Sequence, residues 1–282
     1  MSKSFDDLVQ LMARLRAADG CPWDRKQTHE SLKPYLVEEA YEVLEAIDHA
    51  DIMRLREELG DVLLQVIFHA QIGAEQDTFS IEDVIRTLAD KLVRRHPHVF
   101  GTADQKQDAL DADGVKLRWE QIKRNERVEK GHDTSALEGV PKTLPALLRA
   151  FQVQARAAHV GFDWPALAPV LEKLEEELQE FRDAMAADSA ASPAASNALK
   201  DHVEDELGDV LFTIVNVARF LKINPEEALR KTINRFIDRF QYIEEQAGAT
   251  GRSLQALTLE EMDAYWNEAK RLMPTPLGLN KP

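Results

Sequence analysis

Glu39 and Glu42 stand three residues apart, and Glu58 and Asp61 repeat that spacing further along the chain. Residues three apart on an α-helix lie about 60° from one another around its axis, so each pair projects from a single helix face. Two antiparallel helices packed through those faces bring four carboxylates together. Their repulsion in a partly desolvated site is costly unless a cation neutralises it. Oxygen donors with no His or Cys at ligand spacing suit a hard divalent ion, Mg²⁺ or Mn²⁺, and argue against zinc. The same residue types recur as Glu177 and Glu180, followed by Glu206 and Asp209. In a chain with 30% charged residues, a single acidic pair is ordinarily a solvated helix face. A ferritin-like di-iron centre is another rival, but no His completes the Glu-x-x-His that it requires. Two acidic pairs on consecutive helices, repeated in both halves with a glycine (Gly60, Gly208) inside the second pair, favour the metal reading. A glycine there would admit a neighbouring helix or a phosphate, at a cost of about 1 kcal/mol in helix propensity.

Cations supply the complementary half. Arg235 and Arg239 are four apart, and Lys270 lies four after Trp266. Beside a divalent ion such groups bind a polyphosphate, and an indole adds a surface for a base, so the set reads as a nucleotide site. Taken singly, Trp266 also reads as a core tryptophan and the arginines as solvated side chains. The run Arg94-Arg95-His96-Pro97-His98 reads as a charged helix C-terminus before a proline stop, with no role assigned to His96 or His98.

The elements that must position these residues are helices. Phe5, Leu8, Leu11, Met12 and Leu15 recur at steps of three and four, as do Leu55, Leu59, Val62, Leu63, Val66 and Ile67, while alternating strand patterns are almost absent. An all-α fold follows, with helices near 4–18, 30–49, 51–75, 80–95, 113–129, 143–159, 165–187, 198–221, 225–247 and 258–272. Ser80 before Ile81-Glu82-Asp83 and Asn224 before Pro225-Glu226-Glu227 read as N-caps with acids in the first turn. Glu58-Leu59-Gly60-Asp61-Val62-Leu63 returns as Glu206-Leu207-Gly208-Asp209-Val210-Leu211, which marks a duplication. In the same register Glu39 falls on Glu177, Glu42 on Glu180, Lys91 and Arg95 on Arg235 and Arg239, and Trp119 and Lys123 on Trp266 and Lys270. The glycines and prolines between Gly131 and Pro145 divide the halves, so the expected layout is a helical domain at 1–132, a linker at 133–142 and a second helical domain at 143–282. The Ala/Ser-rich stretch 186–197 reads as a mobile loop between two helices of the second unit.

The chain has 282 residues, with 35 Lys+Arg against 50 Asp+Glu and a formal net charge of -15, which excludes a general binder of nucleic-acid backbone. The lone Cys21 excludes an internal disulfide or a zinc ribbon and fits a reducing compartment. No window is long and apolar enough for a membrane span, and the first residues lack the pattern of a secretory signal, so the expectation is a cytoplasmic protein with no membrane partner.

At these motifs the chain resembles the MazG family of nucleoside triphosphate pyrophosphohydrolases in its tandem-domain form. The resemblance rests on Glu38-Glu39-x-x-Glu42 with Glu58-x-x-Asp61, on Glu176-Glu177-x-x-Glu180 with Glu206-x-x-Asp209, and on Cys21-Pro22-Trp23-Asp24 and Tyr265-Trp266. It implies two homologous all-α units, Mg²⁺ dependence, a homodimer, and hydrolysis of nucleoside triphosphates to monophosphate and pyrophosphate with broad base tolerance, in nucleotide-pool housecleaning or stress control. The metal ligands it implies are Glu177, Glu180, Glu206 and Asp209, with Glu39, Glu42, Glu58 and Asp61 as a second, N-terminal set. Substrate contacts are Lys173, Glu176, Arg235, Arg239, Trp266 and Lys270. Glu176 or another carboxylate of the cluster accepts the proton of the attacking water. Two positions depart from the pattern. His202 stands one turn before Glu206, where its contact to a phosphate would depend on pH. Tyr35 stands where the second unit has Lys173, so the second unit is expected to carry the turnover. The rival function is a non-catalytic, dimeric helical nucleotide sensor, and behind it a purely structural bundle.

Overall fold

A computed structural model describes residues 4–102, 114–115, 118–119, 122, 126, 135–189 and 196–273, and among these there is no strand. The chain divides into two compact units, Met1–Lys130 and Gly131–Pro282.

In the first unit, α1 (Phe5–Arg16) opens on a reciprocal cap between Ser4 and Asp7. A short α2 (Pro22–Lys26) begins on its proline. The central pair is α3 (Lys33–Asp48) and α4 (Ile52–Glu75), turned through Ala50 at φ 52 and restarted by the Asp51 carboxylate, which accepts from the backbone N–H groups of Met53 and Arg54. This tight reversal makes α3 and α4 antiparallel neighbours, the arrangement that the acidic pairs need. Then come α5 (Ile81–Arg95), capped by Ser80 and Asp83, and a single turn, α6 (Pro97–Phe100). Met12, Leu32, Ile67, Phe68 and Ile72 form the core, with Val9 and Leu63 against it. Arg16 locks α1 to the far end of α4, donating to Glu75 at 2.7 Å and lying 5.4 Å from the centroid of the Phe68 ring.

The second unit contains α7 (Ala146–His159), α8 (Leu167–Ser189), α9 (Ser196–Phe220), α10 (Pro225–Ala249), a 3₁₀ turn at Leu254–Ala256 and α11 (Leu259–Leu272). Its central pair is α8 and α9. The buried Gln154 of α7 donates to the Phe212 carbonyl of α9 at 2.8 Å. Arg219 of α9 holds Asp163 in the segment leading into α8. Asn224 caps α10, and Thr258 with Glu261 caps α11. Ile243, Ala247 and Leu257 form a core cluster on which Leu254, Met262, Tyr265 and Trp266 pack.

Two expectations need correction. Helices α2 and α6 were not anticipated, because five and four residues are too few to show a periodicity. The stretch 186–197 is not a loop throughout: residues 186–189 continue α8 and 196–197 begin α9, since alanine propagates a helix well even where no apolar stripe marks it. Residues 190–195, and most of the helix expected at 113–129, lie outside the described residues; 114, 115, 118, 119, 122 and 126 are helical.

Candidate metal and nucleotide site

In the second unit, one carboxylate oxygen each from Glu177, Glu180 and Glu206 lie within 4.8 Å of one another, bridging α8 and α9. Glu177 is buried, Glu206 half-buried and Glu180 exposed. Lys173, one turn before Glu177, donates to Glu176 at 2.8 Å and to Glu177 at 2.9 Å. These two bonds, Glu176 first, hold its ammonium above the ordinary lysine range. Burial, then the charges of Glu177, Glu206 and Glu176, push the Glu180 carboxyl up, against the opposing pull of Lys173. His202 Nδ1 stands 3.6 Å from Glu206.

The first unit builds the same arrangement from Glu39, Glu58 and Asp61, again within 4.8 Å. Burial and the charge of Asp61 raise Glu39. Glu42 is raised by the charge of Glu58, then by burial and by a hydrogen bond between the two carboxyls. Each predicted set of four therefore meets as three. Asp209 is exposed and stays outside the group in the second unit, as does Glu42 in the first. Glu42 nevertheless stays in contact with the first triad through its hydrogen bond with Glu58. Together the two triads use every one of the four repeat positions. Nor does a packed helix explain the glycines, since a Cβ added at Gly60 or Gly208 meets no atom within 4 Å.

Sequence reasoning missed Arg54. It donates to Glu58 at 3.1 Å and to Glu45 at 2.7 Å, giving the first unit a cation beside its acids where Tyr35, packed edge-on to Trp23, replaces the lysine. The repeat register carried the signal, because Arg54 occupies the position of His202. The two units thus place their cation on opposite helices of the pair.

Of the predicted substrate cations, Arg239 and Lys270 form a second group, between α10 and α11. The Arg239 guanidinium lies 5.8 Å and the Lys270 ammonium 5.7 Å from the centroid of the Trp266 ring, and Phe236 packs against it at 5.1 Å. Trp266 is thus both a core-packing residue and the centre of a cationic cluster. Arg239 donates to the Met273 carbonyl at 3.3 Å, while its Nε is buried with no hydrogen-bond partner among the described residues. Arg235 donates to the Thr232 hydroxyl at 2.7 Å. In the first unit Arg94 and Arg95 both bind Glu126, and His96 packs edge-on to Trp119 at 5.4 Å. Lys123 lies outside the described residues.

Helix pairs carrying an oxygen-only acidic cluster, each followed by a helix with paired cations, define the class: the MazG nucleotide pyrophosphohydrolase domain matches residues 27–100 and again 167–243, and the chain belongs to the MazG family. It is 48% identical over 267 residues to the nucleoside triphosphate pyrophosphohydrolase/pyrophosphatase MazG of Thermotoga maritima, covering 94% of this chain and 95% of that one. The nucleoside triphosphate pyrophosphohydrolase of Escherichia coli K12 is 43% identical over 268 residues, 95% of this chain and 97% of its own. The protein of that name from Mycobacterium tuberculosis is 42% identical over 157 residues, 55% of this chain and 45% of its own.

Proposed function

We propose that this chain hydrolyses nucleoside triphosphates to the monophosphate and pyrophosphate, tolerating many bases, and that residues 143–282 carry the turnover while 1–132 form a companion domain joined through 133–142. The observation that carries this reading is the convergence of Glu177, Glu180 and Glu206 beside Lys173 in a chain whose relatives bear that activity in their names. The donor set fits Mg²⁺, with Mn²⁺ as the alternative: hard oxygens, a half-buried setting, and a Glu180 carboxyl already raised by burial and by the neighbouring carboxylates. Glu177, Glu180 and Glu206 would hold the ion, with Asp209, outside their group here, as the fourth ligand that the motif supplies; when bound, the ion would neutralise polyphosphate charge and lower the pKa of a coordinated water.

The remaining chemistry belongs to the chain. Arg235 and Arg239 bind phosphate oxygens through charge-assisted hydrogen bonds. Lys270 adds positive charge, and Trp266 offers a face to the base. Lys173 holds Glu176 and Glu177 side by side, leaving Glu176, the more exposed of the two, to take the proton of the attacking water. His202, whose Nδ1 stands 3.6 Å from Glu206, contributes a further contact beside the acidic cluster.

The chain acts as a homodimer. Leu229, Ile233, Phe236, Ile237 and Phe240 form an exposed apolar stripe along α10 at helical spacing, and a second copy is the partner such a stripe suits. No helix among the described residues is long and apolar enough to cross a membrane. A lone cysteine, a net charge of -15 and a nucleotide substrate support the reading of a cytoplasmic protein with no nucleic-acid or membrane partner, acting in housecleaning or stress control of the nucleotide pool.

The test is a panel of canonical and modified nucleoside triphosphates with Mg²⁺, scoring pyrophosphate against orthophosphate. Pyrophosphate release that disappears in Glu177→Gln is the expected result. Orthophosphate alone refutes the reaction class, and Mg²⁺-dependent binding without turnover identifies the sensor instead.

A further inference from the structure

The duplication allows the two cationic groups to be compared residue by residue. With Trp119 on Trp266 and Arg95 on Arg239, Glu126 falls on Met273 and Arg94 on Asp238. In both units the arginine turns to the residue seven after the tryptophan. In the second unit it reaches, among the described residues, the Met273 carbonyl, at 3.3 Å. In the first it finds a carboxylate: Arg95 donates to Glu126 Oε2 at 2.6 Å through its terminal nitrogen, and its Nε stands 3.2 and 3.3 Å from the two oxygens. Arg94 donates to Oε1 at 2.7 Å. Glu126 is only 12% exposed in this grip. A carboxylate shared by two guanidiniums satisfies the same donors, with the same sign of charge, as the oxygens of a phosphate.

We propose that the first unit carries a second binding site for the triphosphate of a nucleotide, built on Arg94 and Arg95, and that Glu126 occupies it as an internal stand-in for phosphate. It rests on the reading that Arg239 holds phosphate in the second unit. The masking is intramolecular, so a ligand must displace a carboxylate already held in place, and affinity in the first unit falls far below that of the second. At the matching positions the second unit has an exposed aspartate and a methionine, so among the described residues its arginine has no such occupant. The inequality of the two units thus lies in the cationic group as well as in the exchange of Lys173 for Tyr35.

The experiment is equilibrium dialysis of the full chain with Mg²⁺ and the α,β-methylene analogue of ATP, counting sites per chain. The wild type is expected to show one tight site, lost in Arg239→Ala, and a second weaker by roughly tenfold or more, equivalent to about 1.4 kcal/mol for each tenfold. Glu126→Met, which installs the second unit's residue, and Glu126→Gln, which keeps the shape and removes the charge, should each bring the second site to within a few-fold of the first. Adding Arg95→Ala should abolish that gain. Two equal sites in the wild type overturn the proposal, as does an unchanged count in whichever Glu126 variant keeps the wild-type circular dichroism, or a gained site that survives Arg95→Ala. If the wild type binds nothing, the reading of Arg239 fails by itself. A site that then appears in a Glu126 variant and needs Arg95 still supports the masked site, and its absence removes both.

Discussion

Replacing Glu206 by Gln tests the acidic cluster through the sign of its effect. Glu177 and Glu206 present oxygens within 4.8 Å of one another, with side chains only 9% and 16% exposed. Two unit charges at that separation repel by between about 1 kcal/mol in water and about 3 kcal/mol at an effective dielectric near 20. Lys173 at 2.9 Å from Glu177 offsets part of this, which leaves a net strain of about 1 kcal/mol in the metal-free protein. Removing one charge while keeping its shape should therefore stabilise the second unit, raising its melting temperature by about 2–4 °C in EDTA. The same substitution removes a ligand, so the melting-temperature gain that Mg²⁺ gives the wild type should shrink or vanish, and pyrophosphate release should fall steeply. Differential scanning fluorimetry of both proteins in EDTA and across a Mg²⁺ series makes the measurement. Were Glu206→Gln to melt at or below the wild type in EDTA and keep the full Mg²⁺ response, the carboxylates would not form a common ion site.

Three further outcomes are expected. Arg239→Ala loses a charge-assisted contact worth about 1.5–3 kcal/mol, which should raise KM for the triphosphate by roughly tenfold or more in steady-state assays while the fold stays intact by circular dichroism. The hydrogen bond from Arg95, aided by Arg94, holds the Glu126 carboxyl at about 2, below its usual 4.5, so its contribution to the stability of the first unit is complete above that usual value and disappears as pH falls toward 2; thermal melts at descending pH should show this loss in the wild type and a flatter profile in Glu126→Gln. Phe236 lies within the exposed stripe of α10, so Phe236→Glu should shift the sedimentation coefficient from that of a dimer to that of a monomer.

The amino-acid sequence alone determined the helices, their duplication and the residue types of the site. Leu59, Val62, Leu63 and Val66 repeat at the period of a helix, Ser80 and Asn224 announce helix starts through groups only two or three residues away, and the six-residue identity at Glu58 and Glu206 needs no coordinates. Such signals are local, because backbone hydrogen bonds and capping join near neighbours in the chain. The tertiary structure decided which carboxylates meet. Asp61 joins the first triad and Asp209 stays out of the second, though their sequence surroundings are identical, because the outcome depends on charges arriving from a different helix. Arg54 on Glu58 and Glu45, and Glu126 between Arg94 and Arg95, belong to the same category. The Glu126 pairs join residues more than thirty apart, and the strength of an ion pair is set by distance and burial, quantities that only the folded chain possesses.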